Sequence, residues 1–414
     1  MISIKDKTKC CGCTACFSSC PKKCISMEYD EEGFLYPVVD TKICVDCKIC
    51  EKVCPFNNTS CEEEYNSLYA AVQYKDEEKR KESTAGGAFS LIADKLLDSG
   101  AVVYAVGYDS NVVVCHKRVN KKEGLPELRG SKYVQSFLGK TFESVKSDLN
   151  SGNTVLFVGT PCQIAGLKNV IGENDRLYTI DLLCLGVSSP KLFEEYIGYL
   201  NEKYQNQVNR VLFRNKYYGY ATPNVRVCFD NGKYIQQTYD SKVHADLFFN
   251  HYNVRPCCYE CEFRERPRMS DFTIGDFNDI GEVVPEFDDN KGTTKIWVHS
   301  QKGQQLLKRT EMLANIRTLK AGEKNIIGGK KVQIIRPEAR SEFFDDVNKL
   351  SYVELIKKWH PYNPKGTLVS FMRNMINPFP FRDKIFKMIR LRKIKSFNKN
   401  VARLNSDSRS KGEK

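Results

Sequence analysis

Two cysteine runs with the same spacing dominate the first sixty residues. Cys10, Cys13, Cys16 and Cys20 are separated by two, two and three residues and followed by Pro21; Cys44, Cys47, Cys50 and Cys54 repeat the spacing before Pro55. Three thiolates on one tight loop can hold three irons of a cubane, and the trailing cysteine of each run reaches across to the other cubane. This predicts one 4Fe–4S cluster on Cys10, Cys13, Cys16 and Cys54, and a second on Cys44, Cys47, Cys50 and Cys20. Each proline prevents the chain from continuing the preceding helix. Zinc knuckles also use paired cysteines, but they need four ligands in pairs rather than a three-cysteine run repeated with a trailing Cys-Pro. Cys11, Cys24 and Cys61 fall outside the spacing and read as small buried residues.

The pattern is that of a two-cluster, bacterial-type ferredoxin over residues 1–60. The chain carries 18 cysteines, eleven of them between positions 10 and 61 and none after Cys261. Residues 1–9 hold no apolar run of the kind that opens a secretion signal, so a cytoplasmic protein is expected. In that compartment thiols stay reduced, and metal binding is a better reading than disulfides. The net charge of +13 is concentrated at one end, because residues 365–414 hold fourteen Lys and Arg against Asp383, Asp407 and Glu413. The rest is close to neutral before any anionic cluster is counted, which argues against nucleic acid as a partner.

The elements that must position further chemistry alternate along residues 65–345. Strand-like runs occur at 101–106, 112–114, 154–158 and 177–183, and Ala88, Phe89, Leu91, Ile92, Leu96 and Leu97 share helical spacing before Gly100. Such alternation favours a sheet covered by helices. Ser83-Thr84-Ala85-Gly86-Gly87 precedes that helix; its small residues would let backbone N–H groups approach a phosphate, though an ordinary cap with flexible glycines has the same composition. Cys162 follows one strand-like run, Cys184 ends the next, and Cys258 and Cys261 form a separate pair. Spacing alone fits either a third metal site or scattered buried cysteines. Residues 346–414 read as helical and then basic, with Phe381, Ile385, Met388 and Ile389 on one face of a helix that could lie on an anionic membrane.

In combination these pieces resemble the coenzyme F-420 hydrogenase/dehydrogenase beta-subunit family, in its bacterial form with a fused N-terminal ferredoxin. The resemblance rests on residues 83–89, 128–136, 159–167, 181–184, 255–261 and 271–277, in family order, and covers roughly 70% of the chain. It implies an α+β ferredoxin domain (1–60) followed by an α/β flavin-binding domain with a mixed sheet (65–345, in parts of about 65–150 and 151–330), and a basic tail (346–414). It also implies FAD held near Ser83, Thr84, Gly86, Gly87 and Lys132, and an extra 4Fe–4S cluster on Cys162, Cys184, Cys258 and Cys261. The implied activity is flavin-dependent oxidoreduction with a redox partner protein or a small organic or deazaflavin substrate; a pure electron carrier is the alternative. Two departures touch the substrate side. Leu185 stands where the family usually has histidine, and Asn278 where it usually has tryptophan. No side chain is assigned as a general acid or base.

Overall fold

The structure, a computed structural model, describes residues 1–58, 68–264, 266–319 and 334–362. The N-terminal lobe has two copies of one short unit. Helix α1 (Ala15–Ser18) and strands β1 (Ile25–Tyr29) and β2 (Leu35–Val39) follow the first cysteine loop, and α2 (Ile49–Lys52) follows the second. In both loops the residue before the second cysteine and the residue after it adopt left-handed backbone: Gly12 and Thr14 in one, Asp46 and Lys48 in the other. Successive turns of this kind aim N–H groups into a shared concavity, which suits an anion.

Among the described residues, eight strands form a mixed sheet in the order β13-β3-β12-β11-β7-β6-β4-β5. Its centre is parallel: β4 (Val102–Tyr108), β6 (Val155–Gly159), β7 (Leu177–Leu182) and β11 (Phe272–Asp276) run together. Strand β12 (Thr294–Val298) reverses direction and β3 (Leu68–Tyr74) reverses it again, so β3 points the same way as the parallel strands. Strands β5 (Val114–Val119) and β13 (Ala314–Thr318) close the edges antiparallel to their neighbours. A separate meander of β8 (Val208–Asn215), β9 (Asn224–Phe229) and β10 (Tyr234–Gln236) has no counterpart in the sequence reading.

Helix α4 (Ala88–Leu97) buries Leu91, Ile92, Leu96 and Leu97 on the sheet, each worth about 2 kcal/mol on area grounds. Helix α7 (Pro161–Ile171) is held at its start by a capping box, in which the Gln163 side chain accepts from the Thr160 N–H. The run at 112–114 is a strand only from Val114. Asp109 Oδ1 accepts from the Asn111 and Val113 N–H groups, and Val112 takes left-handed backbone, so residues 109–113 form the hairpin turn. Residue 346, expected to open a separate tail, falls inside α12 (Arg340–Val347). With α13 (Tyr352–Trp359) this helix packs Phe343, Phe344, Leu355 and Ile356 against α8 (Pro190–Tyr204) and β8, because these apolar residues complete the core there. The basic stretch proposed for membrane contact lies outside the described residues. No helix among the described residues is long and apolar enough to cross a membrane.

The lobe docks on α7. A Cβ on Gly166 would lie 2.8 Å from Cys13 Sγ and 3.5 Å from Ala15 Cβ, so glycine is what lets the helix meet the first cysteine loop. A Cβ on Gly198, in α8, would have nothing within 4 Å. Alanine should therefore stabilise at 198 by up to about 1 kcal/mol. At 166 the same propensity gain meets an overpacking cost of about 1–3 kcal/mol, giving a net loss. Urea midpoints of Gly166→Ala and Gly198→Ala test this; equal shifts would mean that α7 and the lobe do not touch.

Candidate functional site

Loops leaving the carboxyl ends of β3, β6 and β7 emerge on one edge of the sheet, the position where open α/β sheets collect ligands. The Ser83–Gly87 loop follows β3 by way of α3 (Glu77–Glu82), Cys162 is the second residue of α7 after β6, and Cys184 lies two residues beyond β7. Cys258 and Cys261 come from a tight turn at Pro256–Cys258, tied to the same edge because the Arg255 N–H donates to Val187 O at 3.0 Å. Cys162, Cys184, Cys258 and Cys261 are electrostatic neighbours in one enclosure. Burial pushes the free thiol of Cys184 well up and that of Cys261 up to about 12, and the hydrogen bond with Cys257, together with burial, pushes Cys258 well up. Donors nevertheless point at sulfur: the Gly186 N–H lies 3.3 Å from Cys184 Sγ, and the Phe263 and Val187 N–H groups face Cys261 and Cys258.

In the lobe, Cys10, Cys13, Cys16 and Cys54 are mutual neighbours, so the fourth cysteine of the second run joins the first loop. Cys20, Cys44, Cys47 and Cys50 line a shallow hollow with Cys24, Met1, Pro21 and Val45. Cys47 is exposed. Among the described residues, no three His, Cys, Asp or Glu side chains converge on a point that would suit a single ion. Thiols wrapped around a cubane stand further apart, because irons and sulfides fill the space between them. A donor set made only of cysteine, spread around hollows and faced by N–H groups, fits a cluster better than zinc.

Three residues that the sequence reading did not single out as functional join these sites. Cys11 is buried beside both Cys13 and Cys162, and sharing its proton with them raises its own thiol and lowers theirs. It therefore sits between the lobe's first thiol set and the body's. Arg255 is fully buried, its Nε donating to Cys10 O at 2.9 Å and its Nη1 to Gln135 Oε1 at 2.8 Å. Gln135 in turn donates from Nε2 to Cys11 O at 3.3 Å. The only sequence signal for the pair was their place inside the runs 128–136 and 255–261.

The five flavin-side candidates fall into two places. In the loop, Ser83 Oγ donates to Lys79 O at 2.7 Å, Thr84 Oγ1 accepts from the Ser131 N–H at 3.0 Å, and the Gly86 N–H donates to Thr294 Oγ1 at 2.9 Å. A Cβ at Gly86 would fall 2.1 Å from Val72 O, and Gly87 takes left-handed backbone to start α4. The loop's side chains are thus committed to protein partners, and the unsatisfied N–H groups of the first turn of α4 are what it offers a phosphate. Lys132 stands apart beside β4, donating from Nζ to the carbonyls of Val106, Glu127 and Arg129. Burial of this ammonium, with Arg210 nearby, pulls it down to about 7, while the three carbonyl oxygens favour the charged form. Lys216 is held in the same way by Arg80 O, Ala85 O and Lys291 O against the loop. Among histidines, half-buried His116 stacks on Phe157 at 5.0 Å, and His244 packs against Phe193 and Tyr196 in the core.

Residues 152–324 match the family described as the C terminus of the beta subunit of coenzyme F-420 hydrogenase/dehydrogenase, and residues 9–58 match a 4Fe–4S dicluster domain. An uncharacterised ferredoxin of Methanocaldococcus jannaschii is 41% identical over 54 residues, which is 13% of this chain and 69% of that protein. A solved structure of the F-420-reducing nickel–iron hydrogenase complex from Methanosarcina barkeri, derivatised with xenon, aligns over 73% of this chain and 97% of the matched one. At 14% identity and a TM-score of 0.42 that similarity is too distant to argue from. The chain is an iron–sulfur protein with a 4Fe–4S dicluster domain at its N-terminal end, and its residues 152–324 are related to the C-terminal part of the coenzyme F-420 hydrogenase/dehydrogenase beta subunit.

Proposed function

We propose that this chain carries electrons between the exposed second cysteine loop of its lobe and a flavin at the sheet edge, and that it works as an FAD-dependent oxidoreductase. The ligand sets are Cys10, Cys13, Cys16 and Cys54; Cys20, Cys44, Cys47 and Cys50; and Cys162, Cys184, Cys258 and Cys261. The observation that carries the reading is continuity. Cys54 feels both Cys13 and Cys50, and Cys11 contacts both Cys13 and Cys162, so thiols lead without a break from exposed Cys47 to Cys184. Once bound, the clusters supply single-electron transfer, and a flavin supplies the exchange between single electrons and pairs.

The chain's own residues do the rest. N–H groups facing sulfur stabilise the thiolates and exclude water from them. The start of α4 would hold a phosphate, and Lys132, pulled down to about 7 by burial, would be held in its charged form by an anionic reduced flavin beside it, favouring that form. Leu185 and Asn278 donate no proton where the family usually has histidine and tryptophan, so a hydride acceptor that needs no side-chain acid fits best. A deazaflavin or a comparable organic compound is the substrate class. The redox partner would be a protein docking near Cys47.

Protein purified without oxygen should contain about twelve irons and twelve acid-labile sulfides per chain, four of each per cubane, with one bound flavin. Cys184→Ala or Cys258→Ala should remove a third of the iron and leave the other two clusters. Full iron without flavin would leave an electron carrier with no substrate site, and zinc in place of sulfide would overturn the reading.

Lys132 also predicts a pH dependence. Its folded value of about 7 lies below the unfolded 10.5, so the unfolded chain binds more protons in that window and stability rises with pH. Wild type should gain on Lys132→Met by up to about 1.4 kcal/mol per pH unit between those values, measured as denaturant midpoints at pH 6.5, 8 and 9.5. A constant gap would mean that the ammonium is not enclosed.

A further inference from the structure

We propose that Arg255 is the built-in counter-cation of the cluster on Cys10, Cys13, Cys16 and Cys54, and that it sets this cluster's reduction potential above the value its thiol set alone would give. The inference rests on the cluster assignment proposed above. Its starting point is a charge without a partner.

Four arginines are almost entirely buried: Arg80, Arg129, Arg255 and Arg340. Three of them meet a carboxylate. Arg80 pairs with Asp289 at 2.7 Å, Arg129 pairs with Glu82, and Arg340 holds both oxygens of Glu32 at 2.5 and 2.6 Å. Arg255, at 0% exposure, meets no carboxylate among the described residues. Its hydrogen bonds go to Cys10 O, Leu35 O at 3.0 Å and Gln135 Oε1, all neutral acceptors, and its guanidinium covers the Tyr36 ring at 4.2 Å. What remains is sulfur: Nη2 points at Cys10 Sγ at 3.7 Å, and the charge is felt at Cys13 and Cys162.

An isolated buried cation is not sustained by neutral acceptors alone; buried charges are paired. Four thiolates around a 4Fe–4S core carry net negative charge, and the guanidinium lies against one of the four. Space has been made for it. A Cβ on Gly12 would fall 3.1 Å from Arg255 Nη1 and 2.4 Å from Gln135 Nε2, so the cysteine loop carries glycine where the guanidinium and its amide partner pass. The twin hollow around Cys20, Cys44, Cys47 and Cys50 is lined by Lys22 and Lys48, exposed side chains on its rim, with no arginine. A fixed positive charge favours the more negative, reduced form of a cluster, so the two cubanes of the lobe are made unequal by one residue.

The test uses the full chain purified without oxygen, as wild type, Arg255→Gln, Arg255→Lys and, as a control, Arg340→Gln. Iron and sulfide are assayed, and each cluster's midpoint is read by electron paramagnetic resonance during a redox titration. Arg255→Gln should move the midpoint of the Cys10 cluster furthest to more negative potential, that of the Cys162 cluster less, and leave that of the Cys44 cluster in place. Arg255→Lys, which keeps the charge and loses the fork, should recover most of that shift, and Arg340→Gln should move none. Unchanged midpoints in a fully loaded Arg255→Gln protein overturn the proposal. So does loss of the cluster from both Gln and Lys variants, because the fork rather than the charge would then be what matters. Loss from the Gln variant alone, with the Lys variant loaded, supports it. A wild type without sulfide-bridged iron would instead defeat the cluster assignment itself, before any variant is compared.

Discussion

The structure is organised around sulfur that is kept from water. Desolvation pushes the free thiols of Cys10, Cys16 and Cys184 up, and the hydrogen bond with Cys257, helped by burial, does the same at Cys258, so in metal-free protein they are protonated and neutral. Each unit of such a shift is about 1.4 kcal/mol against the thiolate. On the cluster assignment proposed above, iron repays that by taking the proton's place, which couples cluster assembly to proton release and to folding of the seam. The surroundings share the task. Left-handed turns at Gly12, Thr14, Asp46 and Lys48 orient N–H groups, Gly186 donates to Cys184, and glycine at 166 lets α7 close over Cys13.

This constraint explains how lobe and sheet fit together. The lobe turns its first cysteine loop inward, onto α7 and the Arg255–Gln135 pair, and leaves the second facing outward with Cys47 exposed. The parallel strands all deliver their carboxyl ends to the edge that the inward loop meets. Cys162 is placed there by the strand-to-helix turn after β6, with Thr160 Oγ1 3.1 Å from its sulfur. A sheet of reversed direction would have put the same cysteines on the far side from the lobe.

Much of this was legible in the sequence for a local reason. The lobe's cysteines are spaced within single loops, so their grouping needs no knowledge of the fold. Cys162, Cys184, Cys258 and Cys261 come from three separate segments, and only the family resemblance, not spacing, joined them. The helix at 88–97 and the strands near 102, 155 and 177 followed from periodicity, and the mixed sheet was expected from the resemblance. The strand assigned to 112–114 failed because apolar content says nothing about the Asp109 carboxylate that bends the chain there. The meander β8–β10 and the core role of α12 and α13 were missed, since their apolar faces make sense only against each other. Arg255, Gln135 and Cys11 act across the seam between lobe and body, and no window of sequence contains that seam.

The duplicated loop has a further meaning. The same backbone bend is made once with glycine at 12 and once with aspartate at 46, whose carboxylate is exposed to solvent. Aspartate tolerates the bend at a modest conformational penalty, so it is the neighbours, not the bend, that forbid a side chain at 12. The inner copy is therefore closed to any side chain at 12, while the outer copy uses its side chain at 46 to hold the Met1 ammonium at 2.8 Å. One backbone bend thus serves two surroundings: at 12 it admits a guanidinium and an amide against the chain, and at 46 it presents a carboxylate to the chain's own first residue.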